Sequence, residues 1–161
     1  MFNHKITNLK FHIDKLVPED VCKYFIDFYE NNSKHATPEI SYKHESKQQE
    51  KDNFKCLNLT KASEVDKNFI KPLNLAKKYI TLMITNYAFY MQREMCPTFD
   101  MNFMSNSFNV RILKYEKGQY IKDHSDVGGS IRASCTLNLN QDYDFSIDLN
   151  ISKPSSVLKN A

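Results

Sequence analysis

The spacing of apolar residues changes once along this chain of 161 residues, close to Pro97. Before that proline, apolar side chains recur every three or four positions, which is the period of an amphipathic helix. After it they recur at every second position, which is the period of a strand with two different faces. Because helical and strand patterns occupy separate parts of the chain, the order predicts an α+β fold rather than alternating βαβ units.

The first predicted helix follows Pro18, whose fixed backbone geometry suits a first helical turn. Two acidic residues come next, where they interact favourably with the positive end of the helix dipole. Val21, Phe25 and Tyr29 then repeat at intervals of four residues, so the pattern predicts a helix that ends near Asn31.

The second long helix is predicted from Leu73 to about Glu94, and we interpret the aromatic and methionine residues on its apolar face as core. Between the two helices, residues 31–53 are strongly polar and are predicted to form a surface loop. A short strand is predicted over Phe54–Thr60. A short helix is predicted over Ser63–Ile70 before the proline at position 72.

Strand patterning then begins at Phe108 and runs to Tyr115, and a turn is expected at Lys117–Gly118. Residues 132–140 alternate cleanly, with apolar residues on one face and polar residues on the other. That polar face suits either the wall of a wet cavity or an ordinary half-exposed strand. Further strands are predicted at Phe145–Leu149 and from Ser155 onward.

Composition limits the classes of partner. The chain has 22 basic and 19 acidic residues, a net charge of +3, and only three of the basic residues are arginines. No basic stripe stands out, so a nucleic-acid partner is not expected.

No long apolar run is present and the first residues carry charges, which predicts a cytoplasmic protein without a membrane partner. Four widely spaced cysteines fit buried thiols in a reducing compartment.

His124 and Asp126 form the one pair for which the sequence supports a chemical argument. Residues i and i+2 of a strand project from the same face, so an imidazole and a carboxylate converge there. These are two of the three ligands in the facial triad that holds Fe(II). The pattern is short, and an exposed histidine in a hairpin is the alternative interpretation. A hydrolase that uses the same pair with a different metal is a further alternative.

Residues 109–144 read NVRILKYEKGQYIKDHSDVGGSIRASCTLNLNQDYD. The order of a strand ending in tyrosine, a G-Q turn, H-x-D and an arginine-led strand resembles the prolyl 4-hydroxylase-like branch of the 2-oxoglutarate- and Fe(II)-dependent dioxygenases. The resemblance implies N-terminal helices packed on a double-stranded β-helix, or jelly roll. It also implies an oxidoreductase that hydroxylates a protein, peptide or small-molecule substrate, with ascorbate as a possible reductant.

The resemblance assigns a role to each matching residue. His124 and Asp126 match the first two iron ligands. Arg132 matches an arginine that lies at the mouth of the catalytic site in relatives. Tyr115 matches a tyrosine that contacts 2-oxoglutarate in relatives, and packing on the core is its alternative role. Thr136 and Asn138 share the face of Arg132 and are expected to line the cofactor pocket.

The chain also departs from the family pattern. Relatives have a second histidine after H-x-D and then an Arg or Lys that pairs with 2-oxoglutarate, but no histidine follows His124 here. We therefore expect a single domain, 1–161, in which residues 1–97 form a mainly helical support and residues 98–161 form an incomplete set of jelly-roll strands. The alternative is a truncated or degenerate, inactive member that acts as a binding or structural fragment. Open strand edges would favour self-association.

Overall fold

The computed structural model describes residues 4–7, 10–42, 49–95, 97, 107–119, 131–140 and 145–152. Side chains are described for 11–38, 54–94, 97, 109–119 and 135–140, and elsewhere in these ranges only the backbone is described. The strands and α-helices, in chain order, are β1 (His4–Thr7), β2 (Lys10–Ile13), α1 (Glu19–Asn31), β3 (Thr37–Tyr42), β4 (Gln49–Asn58), α2 (Leu59–Val65), α3 (Ile70–Tyr90), β5 (Ser107–Lys114), β6 (Ile131–Asn138) and β7 (Phe145–Ser152). This mixture of helices and strands confirms the predicted α+β class.

Five of the strands form one antiparallel sheet in the order β3-β4-β5-β7-β6, and β1 and β2 form a separate hairpin. A jelly roll consists of two sheets that face each other. Within the described part of the chain, only one sheet of more than two strands is present. The jelly roll therefore stays a prediction.

Helix α1 has the bounds that the sequence predicts. Pro18 has an extended backbone just before the helix, and its carbonyl accepts a hydrogen bond from the amide of Cys22 at 2.9 Å. Phe25 and Tyr29, one helical turn apart, are buried on the same side. Each such side chain contributes about 1.5–3 kcal/mol through burial.

Asn58 explains why β4 ends where it does. Its side-chain oxygen accepts a hydrogen bond from the amide of Lys61 at 2.9 Å, which caps the first turn of α2. The predicted strand Phe54–Thr60 is therefore correct up to Asn58 and wrong for its last two residues, which begin the helix instead.

The predicted helix over Ser63–Ile70 is divided among three elements. Its first residues belong to α2, and a 3₁₀ turn at Lys67–Phe69 leads into α3. Pro72 lies in the first turn of α3, where its missing amide hydrogen leaves no helical bond unmade. A π-helical turn at Met91–Met95 continues α3, so the predicted end near Glu94 is confirmed.

The main core lies between the helices and one face of the sheet, which we call the helix-facing face. Strand alternation places Leu57, Val110, Ile112, Cys135 and Leu137 on it, all buried. The helices cover this face with a second group of buried side chains. That group comprises Phe25, Tyr29, Phe69, Leu73, Ala76, Tyr79 and Ile80.

The predicted surface loop over residues 31–53 is largely wrong. The segment contains a 3₁₀ turn at Ser33–His35, all of β3 and the first half of β4. Thr37 pairs with Cys56 and Pro38 with Lys55, so β3 is held by a neighbour far along the chain. β3 is also an edge strand of the described sheet, and an edge strand tolerates a proline such as Pro38. Residues 43–48 lie outside the described part of the chain.

Residues 1–97 carry the helices, as predicted, but they also supply two strands of the main sheet and the β1–β2 hairpin. The predicted boundary near residue 97 therefore does not separate two structural layers. The predicted strands at 108–115, 132–140 and 145–149 correspond to β5, β6 and β7. β5 ends one residue before the predicted bound and β6 two residues before it, while β7 continues three residues further. The strand predicted from Ser155 lies outside the described residues. None of the helices described is long and apolar enough to span a membrane.

Candidate functional site

The candidate site residues whose side chains are described, Tyr115, Thr136 and Asn138, belong to the sheet face that points away from the helices, which we call the open face. Its register is set by three strands. Leu113 and Asn138 both lie opposite Ser146, while Arg111 and Thr136 both lie opposite Asp148. Residues directly opposite each other share a face, so β5 and β6 present these positions side by side, about 10 Å apart.

Tyr115 follows β5 at one end of the open face and lies half-buried against Phe54. The two ring centroids are 4.7 Å apart at an interplanar angle of 34°. Cys56 and Leu113, both nearly fully buried, complete this small cluster. The contacts described for Tyr115 are those of its core-packing alternative. Its predicted contact with 2-oxoglutarate stays a prediction.

The turn after Tyr115 has the expected position. The amide of Gln119 donates to the carbonyl of Glu116 at 2.8 Å, and Gly118 has a φ of +85°. A positive φ at the third residue of a four-residue turn favours glycine because other residues meet steric strain there. The predicted Lys117–Gly118 turn is confirmed.

Thr136 and Asn138 are exposed, while Cys135, Leu137 and Leu139 between and beside them are buried. The predicted alternation of β6 is thereby confirmed. Both polar residues border a groove of about 580 Å³ whose opposite wall is the segment 11–17. Sequence reasoning expects the two residues in a pocket wall, but it does not predict that this segment forms the other wall.

Arg111 is a residue of the open face that sequence reasoning missed. It is half-buried in the middle of β5, opposite Asn58 of β4. Beside it, Asn58 donates through Nδ2 to Oδ1 of Asn109 at 2.6 Å. The signal available in the sequence was an arginine at an interior strand position, in a chain with only three arginines.

Three predicted site residues have no described side chain. His124 and Asp126 lie outside the described residues, and Arg132 is placed only by its backbone, one residue into β6. Of the other histidines, His12 and His35 are exposed. Where side chains are described, no group of three His, Cys, Asp or Glu residues is close enough to hold a metal ion.

Three ionisable groups of α1 have raised pKa values. Burial raises the pKa of Tyr29 to about 12, and the nearby Glu30 adds to the effect. Burial also raises the pKa of Tyr24, and it raises the pKa of Cys22 with further contributions from Glu19 and Asp20. All three groups therefore stay protonated at neutral pH, and none has the character of an activated nucleophile.

The strands on either side of the H-x-D segment, β5 and β6, are parallel to each other, because both are antiparallel to β7. Lys114 at the end of β5 lies opposite Phe145, whereas Ile131 at the start of β6 lies opposite Ser152. These are opposite ends of β7, which is 8 residues long. Lys114 and Ile131 are therefore about 25 Å apart along the sheet.

Three comparisons with known proteins bear on identity. No family model matches the chain, and no curated protein or solved structure matches it either. The resemblance of residues 109–144 to the dioxygenases therefore rests on the sequence motif.

Proposed function

We propose that this chain is a prolyl 4-hydroxylase-like domain of the 2-oxoglutarate- and Fe(II)-dependent oxygenases, acting on a protein or small-molecule substrate. The observation that carries the proposal is the ordered motif of residues 109–144, in which the H-x-D pair stands between a strand that leads to Tyr115 and an arginine-led strand. These two strands are β5 and β6, which lie parallel on either side of β7. Arg111 of β5 and Thr136 of β6 lie opposite the same residue of β7 and therefore share a face.

The donor set fits iron in part. His124 and Asp126 supply one imidazole nitrogen and one carboxylate, which are two of the three ligands of a facial triad. Bound iron with 2-oxoglutarate and O2 supplies the oxidant for an unreactive C–H bond. In this proposal Arg132 lies at the mouth of the site, and Tyr115, Thr136 and Asn138 surround the co-substrate.

A second candidate function is a non-catalytic binding or structural fragment of the same family. It is favoured by one observation: within these 161 residues, no histidine follows His124. A site with two protein ligands in place of three binds a metal much more weakly, since each ligand contributes to a site that folding has to assemble. The two candidates differ in whether the H-x-D pair still binds iron.

An anaerobic titration with Fe(II) in the presence of 2-oxoglutarate separates them. We expect weak, saturable iron binding that is lost in His124→Ala and retained in His35→Ala, a matched change at an exposed histidine. Binding of that kind supports the oxygenase proposal. Iron binding that is absent, or that persists unchanged in His124→Ala, contradicts it and favours the second candidate.

A turnover assay then measures how complete the site is. With Fe(II), ascorbate and 2-oxoglutarate, we expect these 161 residues to form little succinate, because only two iron ligands are identified. Robust succinate formation that disappears in His124→Ala would show that the domain is active with the ligands it has. Our account of a missing third ligand would then be wrong.

A further inference from the structure

We draw no further inference here: the strongest candidate, the aromatic cleft that Phe11, Phe89 and Tyr90 border at the end of α3, carries none, because nothing in the described part of the chain shows what occupies it.

Discussion

The two faces of the main sheet differ in the polarity of their side chains and in what covers them. The helix-facing face has an apolar centre that is covered by α1 and α3, and it becomes charged at Lys55 and Lys114. The open face is divided into an apolar end, around Phe54 and Leu113, and a polar end, around Asn58 and Arg111. Stability is therefore concentrated on one face, and the proposed site residues with described side chains, Tyr115, Thr136 and Asn138, lie on the other. Substitutions on the two faces should have separable effects.

The largest expected effect comes from the helix-facing core. Phe25→Ala removes a side chain that is 0% exposed, and we expect it to lower the free energy of unfolding by about 3–5 kcal/mol. Thr136→Ala, on the open face, should change it by less than about 0.5 kcal/mol. Urea denaturation measures both. Similar losses in the two variants would remove the distinction between the faces.

The next effect is a pH dependence of the same core. Tyr29 has a pKa of about 12 in the folded chain, above its ordinary value of 10.0. The folded state therefore favours the neutral phenol. The contribution of the neutral Tyr29 phenol to the free energy of unfolding is complete below pH 10. This contribution is lost as the pH rises from 10 to about 12, by up to about 1.4 kcal/mol for each pH unit. In Tyr29→Phe the alkaline decline should be shallower, and an unchanged slope would contradict this assignment.

A smaller effect is expected where the open face joins a helix. Asn58→Ala removes both the cap of α2 and the hydrogen bond to Asn109, and should cost about 1–2 kcal/mol. Asn74→Ala is the matched control, because Asn74 is exposed within α3 and alanine is the better helix former. Thermal unfolding of the two variants makes the comparison. An equal change in both would mean that neither bond matters.

The smallest expected effect concerns the ion pair that joins α1 to β5. Lys114 Nζ lies 2.6 Å from Glu30 Oε1, and the two side chains are 29% and 47% exposed. Lys114→Met should cost up to about 1 kcal/mol at low salt, and this cost should shrink in 1 M salt. Lys23→Met breaks the more exposed pair with Asp27 and should cost less. A larger cost for Lys23→Met would contradict this ranking.

Local sequence patterns correctly predicted the elements that are determined by residues close to them in the chain. α1 follows from Pro18 and its apolar spacing, and β6 follows from strict alternation. The turn at Gly118 follows from glycine chemistry. These predictions succeed because each depends on neighbours within a few residues.

The errors have a common physical cause. β3 is polar and is defined by its pairing with β4, which no local pattern shows. The cap formed by Asn58 likewise depends on where β4 ends. The side-chain amide of Asn58 donates a hydrogen bond to Asn109, which is 51 positions away in the sequence. In the candidate site, alternation predicted the exposure of Thr136 and Asn138. It could not predict the wall formed by residues 11–17, because that wall depends on tertiary packing.

The order of strands in the sheet also affects how the chain can fold as it is synthesised. β7, the last of the described strands to leave the ribosome, pairs with both β5 and β6 and lies between them. Until residue 152 has been made, β6 has no described partner, and β5 is paired on one side only. The sheet therefore closes late, by insertion of a strand between two that are already made. Until then, the facing edges of β5 and β6 are the part of the nascent chain most open to mispairing.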